Sequence, residues 1–138
     1  MKTLRQFIKF GIIGISNTIL SYIINVIVLY LLKPFDFKWD FIVGNIIAFI
    51  LSVLWSFYWN NKYTFKLENG ERRNVRSTLL RMYISYSVTG IVINNILSLM
   101  WLSVFRVNRY IAPAINIFIS APINFCLNKL WAFKKTKS

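Results

Sequence analysis

Histidine is absent from this chain, cysteine occurs once, and the four acidic residues, Asp36, Asp40, Glu68 and Glu71, all fall outside its apolar stretches. Each absence removes a class of chemistry. No Ser, Cys or Lys has a plausible general base beside it, so hydrolysis and nucleophilic transfer lack their parts. Metal catalysis lacks its nitrogen and sulfur ligands. The single Cys126 offers neither a disulfide nor a metal pair and reads as a small residue tolerated in an apolar run. With no carboxylate inside an apolar run to bind and release a proton, a small four-helix proton antiporter is disfavoured. A channel with a charged selectivity ring lacks its ring. The chain therefore reads as no enzyme, with no cofactor.

Charge is scarce overall. Only 15% of the 138 residues are charged while 57% are hydrophobic, and a soluble domain needs a charged exterior. The apolar residues come in four long runs, Phe10 to Leu32, Phe41 to Asn61, Met82 to Phe105 and Tyr110 to Leu130, uncharged except for Lys129 near the end of the last. About 20 residues at about 1.5 Å rise cross a hydrocarbon core of about 30 Å. Backbone polar groups in lipid must be satisfied internally, and barrel strands would alternate in polarity, so the runs predict helices. The expected fold is an all-α integral membrane protein of four transmembrane helices in one domain, residues 1 to 138. A secretory signal also begins with basic residues such as Lys2, Arg5 and Lys9, but its apolar core is shorter than the first run here.

The formal net charge of +13 could suggest nucleic acid, yet its placement points to a bilayer. Only Lys33, Lys38, Arg106 and Arg109 fall in the first and third loops. All other basic residues lie at the two ends or in the segment from 62 to 81. Short loops rich in Lys and Arg stay cytoplasmic, so both termini and the basic loop are expected inside, with anionic headgroups and no nucleic acid as partners. The loop also carries Asn69-Gly70, a turn signal, and Val75, Leu79 and Leu80 among Arg72, Arg73 and Arg76 suggest a short interfacial helix. In the first outer loop Phe35, Phe37 and Trp39 alternate with charges and read as an interfacial anchor.

The chain repeats itself. SFYWNNKYTF, Ser56 to Phe65, returns 68 positions later as NFCLNKLWAF, pairing Phe57 with Phe125, Asn60 with Asn128, Tyr63 with Trp131 and Phe65 with Phe133. RQFIKFGIIG, Arg5 to Gly14, returns at an offset of 76 as RMYISYSVTG, pairing Arg5 with Arg81 and Gly14 with Gly90. The result is two hairpins, about 1 to 66 and about 77 to 135, entering from one side as a parallel repeat. Small and polar residues line each span at steps of three and four: Asn17 with Thr18, Ser21 and Asn25; Asn45, Ala48, Ser52, Ser56 and Asn60; Ser87, Gly90, Asn94 with Asn95, and Ser98; Asn116, Ser120, Asn124 and Asn128. Pro122 should kink the fourth helix and free a carbonyl beside Ser120 and Asn124. Hydrogen bonds between helices would account for single Asn residues. Four such stripes together would build an interior able to exchange hydrogen bonds with hydroxyl groups, and cations at its inner end suit phosphate.

On RQFIKFGIIGISNT, SFYWNNKYTF and NFCLNKLWAF, from Arg5 to Lys134, the chain resembles the GtrA family of small four-span bacterial membrane proteins. That resemblance implies a flippase of the bacterial cytoplasmic membrane, moving a polyprenyl-phosphate-linked monosaccharide to the outer leaflet for glycosylation of a surface polysaccharide or teichoic acid. Arg5, Lys9, Lys62, Arg81 and Lys129 would gather the phosphate. Asn17, Asn60, Asn94, Asn124 and Asn128 would replace water around the sugar. The alternative is a non-transporting adaptor that recruits or stabilises a membrane glycosyltransferase. Four helices make a narrow bundle, and Gly11, Gly14 and Gly90 would let helices approach closely, so a homodimer is expected.

Overall fold

The computed structural model of the chain describes residues 1–108 and 110–135, except for the side chain of Pro113. Arg109 and Lys137, two of the cations read for topology, lie outside the described residues. Every regular element among the described residues is a helix, and none is a strand. They divide into two compact units, Met1–Lys66 and the part from Leu67 onward.

In the first unit, helix α1 spans Lys2–Leu32 without a break, so the basic lead-in belongs to the first span. Pro34 and a left-handed Asp36, with φ of 47°, end it in a short 3-10 turn, Lys33–Phe35. Helix α2, Asp40–Trp59, continues into a π-helical turn, Asn60–Thr64. The two helices lie antiparallel: Asn25 bonds Asn45 near the loop, Trp55 Nε1 donates to Ser16 Oγ at 3.2 Å midway, and the Phe10 and Phe65 rings meet at 6.3 Å at the other end. The packed face of α2 is a four-residue ladder of small and polar side chains, Gly44, Ala48, Ser52 and Ser56, extended by Asn60 and Thr64. Close approach falls at Gly44, where a Cβ would meet the Asn25 amide at 3.4 Å. At Gly11, Gly14 and Gly90 a Cβ would meet nothing within 4 Å. The outward face of α1, Ile8, Ile12, Ile15, Ile19 and Ile23, is exposed and apolar, as befits a helix solvated by lipid.

In the second unit, helix α3, Val75–Ser87, opens on Asn74, whose Oδ1 accepts from Ser77 N at 3.1 Å. It passes through a π turn, Val88–Ile93, into α4, Asn94–Ser103. The separate interfacial helix expected around Val75, Leu79 and Leu80 therefore does not form. No proline or glycine interrupts the chain after the Asn74 cap until Gly90, so those residues become the first turns of the third long helix. Helix α5, Ala112–Leu127, is helical on both sides of Pro122 and runs into a third π turn, Asn128–Ala132. Pro122 is exposed, off the buried ladder of Asn116, Asn124 and Asn128.

Among the described residues three helical stretches are long and apolar enough to cross a membrane, Lys2–Phe35, Asp40–Thr64 and Val75–Ser103. The fourth apolar run supplies the 16 residues of α5 and the five of its π turn, together about 30 Å long at about 1.5 Å per residue.

The π turns set the register of the repeat. Those closing each unit, Asn60–Thr64 and Asn128–Ala132, coincide at the offset of 68. Val88–Ile93 has no counterpart in α1. A π turn accommodates one extra residue, and the offset of 76 that holds up to Gly90 becomes 77 beyond it. At 77, NTILS (Asn17 to Ser21) falls on NNILS (Asn94 to Ser98). Burial follows the shift: Asn17, Leu20 and Ser21 are half-buried like Asn94, Leu97 and Ser98, and Thr18 and Ile19 are exposed like Asn95 and Ile96.

Candidate functional site

Both hairpins end in the same construction. In the closing turns Phe65 N donates to Asn60 O and Phe133 N to Asn128 O, each at 2.8 Å, the wide hydrogen bond of a π turn. The wide turn draws its leading asparagine inward, and Asn60 and Asn128 are both 0% exposed. Asn60 Nδ2 donates to Ser56 Oγ at 3.0 Å. Asn128 Nδ2 donates to Asn124 O at 2.7 Å and to Asn124 Oδ1 at 3.1 Å. In each case the amide nitrogen is used while the buried Oδ1 has no hydrogen-bond partner. A buried acceptor of this kind costs about 1–3 kcal/mol, so the two closing turns hold hydrogen-bonding capacity in reserve.

Each turn is ringed by cations. Lys9 Nζ reaches Tyr63 O at 3.5 Å, and Arg81 Nη1 donates to Trp131 O at 3.2 Å with its guanidinium over the indole at 5.7 Å. The two carbonyls are equivalent in the repeat but their donors are not: Arg81 aligns with Arg5, and the first unit uses Lys9, one helical turn later, leaving Arg5 exposed. Lys62 stands over Tyr58, Trp59 and Tyr63 at 5.4 to 5.9 Å, with Trp59 and Tyr63 stacked at 5.5 Å. Lys129 lies 5.9 Å from the Phe125 ring. Such contacts hold an ammonium at its place without neutralising it.

Deeper in the second unit, Asn116 is the hub of a closed network. Its Nδ2 contacts Asn94 Oδ1 and Ser98 Oγ at 2.7 Å and Asn94 O at 3.2 Å, and its Oδ1 accepts from Trp101 Nε1 at 3.0 Å. Asn94 is thus tied into the bundle, and Asn124 accepts from Asn128. Asn17 differs: its Oδ1 is buried without a partner. Gln6 Oε1 and Thr64 Oγ1 share that condition and were not singled out by the sequence reading. Their signal was present in the four-residue ladders that Gln6 begins with Phe10 and Thr64 ends after Asn60.

Arg73, read from sequence as a topology charge, is a clasp. Its Nε donates to Phe133 O at 3.1 Å, its guanidinium covers the Phe133 ring at 5.0 Å, and Glu71 beside it bonds Lys135 at 2.8 Å. Burial lowers the Arg73 pKa from its ordinary value and Glu71 opposes that shift. A shallow apolar groove of about 340 Å³ runs from Pro122 to Trp131, past Cys126. Among the described residues no three His, Cys, Asp or Glu side chains come together as a metal site would require.

The model of the family described as the GtrA/DPMS transmembrane domain matches residues 9–133. A dolichol-phosphate mannosyltransferase of Pyrococcus furiosus is 30% identical over 137 residues, an alignment covering 92% of this chain and 34% of the relative. The chain thus spans about a third of the length of that curated relative.

Proposed function

Because the chain belongs to the GtrA/DPMS transmembrane-domain family, we propose that it moves a polyprenyl-phosphate-linked monosaccharide from the cytoplasmic to the outer leaflet of a bacterial cytoplasmic membrane, without catalysing a reaction itself. In this reading the four apolar runs are four spans with both termini cytoplasmic, the sugar serves glycosylation of a surface polysaccharide or teichoic acid, and a homodimer is the working form. The observation that carries it is the pairing, in both closing turns, of placed cations with a buried asparagine oxygen that lacks a partner. Lys9, Lys62, Arg81 and Lys129 gather the phosphate. Asn60 and Asn128 accept hydrogen bonds from the sugar as it leaves water, Asn17 receives it deeper, and the prenyl tail remains in lipid. The relative's name, dolichol-phosphate mannosyltransferase, joins the same two chemistries, a polyisoprenoid phosphate and a hexose. With no carboxylate in an apolar run to couple protons, movement is downhill and driven by consumption of the sugar outside.

One observation favours a second reading. The relative is named as a transferase and is about three times as long as the matched region, which suits a membrane adaptor for a glycosyltransferase. Leaflet exchange separates the two. Liposomes holding only this protein and a short-chain polyprenyl phosphohexose are probed with an impermeant reagent that attacks outward-facing sugar. A flippase exposes the inner pool rapidly and loses that activity in an inserted Asn60→Leu protein. Persistent protection in the wild type would leave the adaptor.

A further inference from the structure

The register set by the π turns allows the two hairpins to be compared rung by rung. Asn94 and Ser98 in the second correspond to Asn17 and Ser21 in the first. Asn116, which binds both Asn94 and Ser98, corresponds to Ala48, and Trp101, which completes the network, corresponds to Ile24. The first hairpin therefore keeps the polar groups of this rung but has only a methyl where the second has the amide that satisfies them. Asn17 Oδ1 is accordingly buried and unpartnered, whereas Asn94 Oδ1 is bonded at 2.7 Å.

The pattern continues toward the closing turn. Gln6, Trp59 and Thr64 each bury a polar atom without a partner, and their counterparts are the apolar Met82, Leu127 and Ala132. Of the six such atoms among the described residues, five belong to the first hairpin, and the sixth is Asn128 Oδ1, the repeat of Asn60 Oδ1. Asn60 and Thr64 are 0% and 3% exposed, so water outside the bundle does not serve them.

We propose that the first hairpin carries most of the reading of the polyhydroxylated head of the ligand. Asn60 and Thr64 with Gln6 receive sugar hydroxyls at its mouth and Asn17 receives one deeper. The second hairpin is a closed scaffold that meets the head only at Asn128. The inference rests on the transport reading above. It adds that two hairpins alike in sequence have divided the work, and that Ala48 is the residue that keeps the reading rung open.

The test compares equivalent rungs through melting of the detergent-solubilised protein, alone and titrated with farnesyl phosphohexose or with farnesyl phosphate. Without ligand, Asn17→Leu melts at or above wild type, because it removes a buried acceptor that bonds nothing, and Asn94→Leu melts lower. With ligand, Asn17→Leu and Ala48→Asn bind the phosphohexose about tenfold more weakly while their affinity for farnesyl phosphate is unchanged, and folded Asn94→Leu discriminates the sugar as wild type does. Should Ala48→Asn fail to fold, Asn17→Leu carries the comparison. Loss of sugar discrimination in Asn94→Leu with its retention in Asn17→Leu overturns the division of labour and leaves transport standing. A wild-type protein that binds neither compound overturns both.

Discussion

The two hairpins share a ladder and differ in what the rungs do. In the second, Asn116 gathers Asn94, Ser98 and Trp101 into one network, and Met82, Leu127 and Ala132 fill the mouth with apolar groups. In the first, Ala48 gathers nothing, and Gln6, Asn17, Asn60 and Thr64 hold oxygens that no neighbour satisfies. Inside a membrane bundle a polar side chain is retained either because it holds helices together or because it meets something else. The Asn116 rung of the second hairpin answers to the first description; the first hairpin also joins its helices through Asn25–Asn45 and Trp55–Ser16, but it keeps further oxygens without partners, and on the proposed reading these are the ones that meet a ligand.

The comparison breaks most visibly at its hub. Asn116→Leu takes the partner from the Trp101 donor and from three acceptors on Asn94 and Ser98 and should destabilise the protein by about 2–4 kcal/mol in denaturant titrations of the reconstituted protein. Asn17→Leu at the matching rung should shift stability by less than about 1 kcal/mol. Equal losses would make the hairpins alike. Next in size is transport: Asn60→Leu should cut leaflet exchange at least tenfold, and Asn128→Leu, where the sugar is met at one point only, by less.

The cations sharpen the contrast between gathering a ligand and holding a fold. Arg81→Gln should weaken binding of farnesyl phosphate several-fold, whereas Arg73→Gln should lower stability by about 1 kcal/mol by releasing the Phe133 carbonyl and leave that affinity intact. Equal effects on affinity would assign Arg73 to the ligand as well. The smallest effect expected is none: dissipating the proton gradient at fixed substrate levels should not change the exchange rate, because the chain has no histidine, Asp36, Glu68 and Glu71 lie in loops, and Asp40 stands at the very first residue of α2. A collapse of transport would require a proton-coupling group that this account does not contain.

The helices were legible because uncharged runs of some 20 residues have few alternatives in lipid, and SFYWNNKYTF and NFCLNKLWAF, which carry the same aromatics around the same asparagine, each run into a π turn. The one-residue shift within the repeat was harder to see. A π turn has no composition of its own, and only the echo of NTILS in NNILS betrays it. The asymmetry was not legible from the ladders, since Asn17 and Asn94 look equivalent until the repeat counterparts Ala48 and Asn116 are set side by side. Arg73 escaped for a related reason: its partner is a backbone carbonyl 60 positions away, which no side-chain pattern announces. The interfacial helix expected after Asn69-Gly70 failed because amphipathic spacing over a few residues does not say where a helix ends, and the next strong breaker lies well inside the span.

Leaflet exchange of a short-chain polyprenyl phosphohexose in liposomes, run in parallel for wild type, Asn17→Leu and Asn94→Leu at matched insertion, tests the central claim most directly. The account predicts rapid loss of protection in wild type, its near abolition in Asn17→Leu and its survival in Asn94→Leu. Protection that persists in wild type, or exchange that fails in Asn94→Leu and continues in Asn17→Leu, would contradict it.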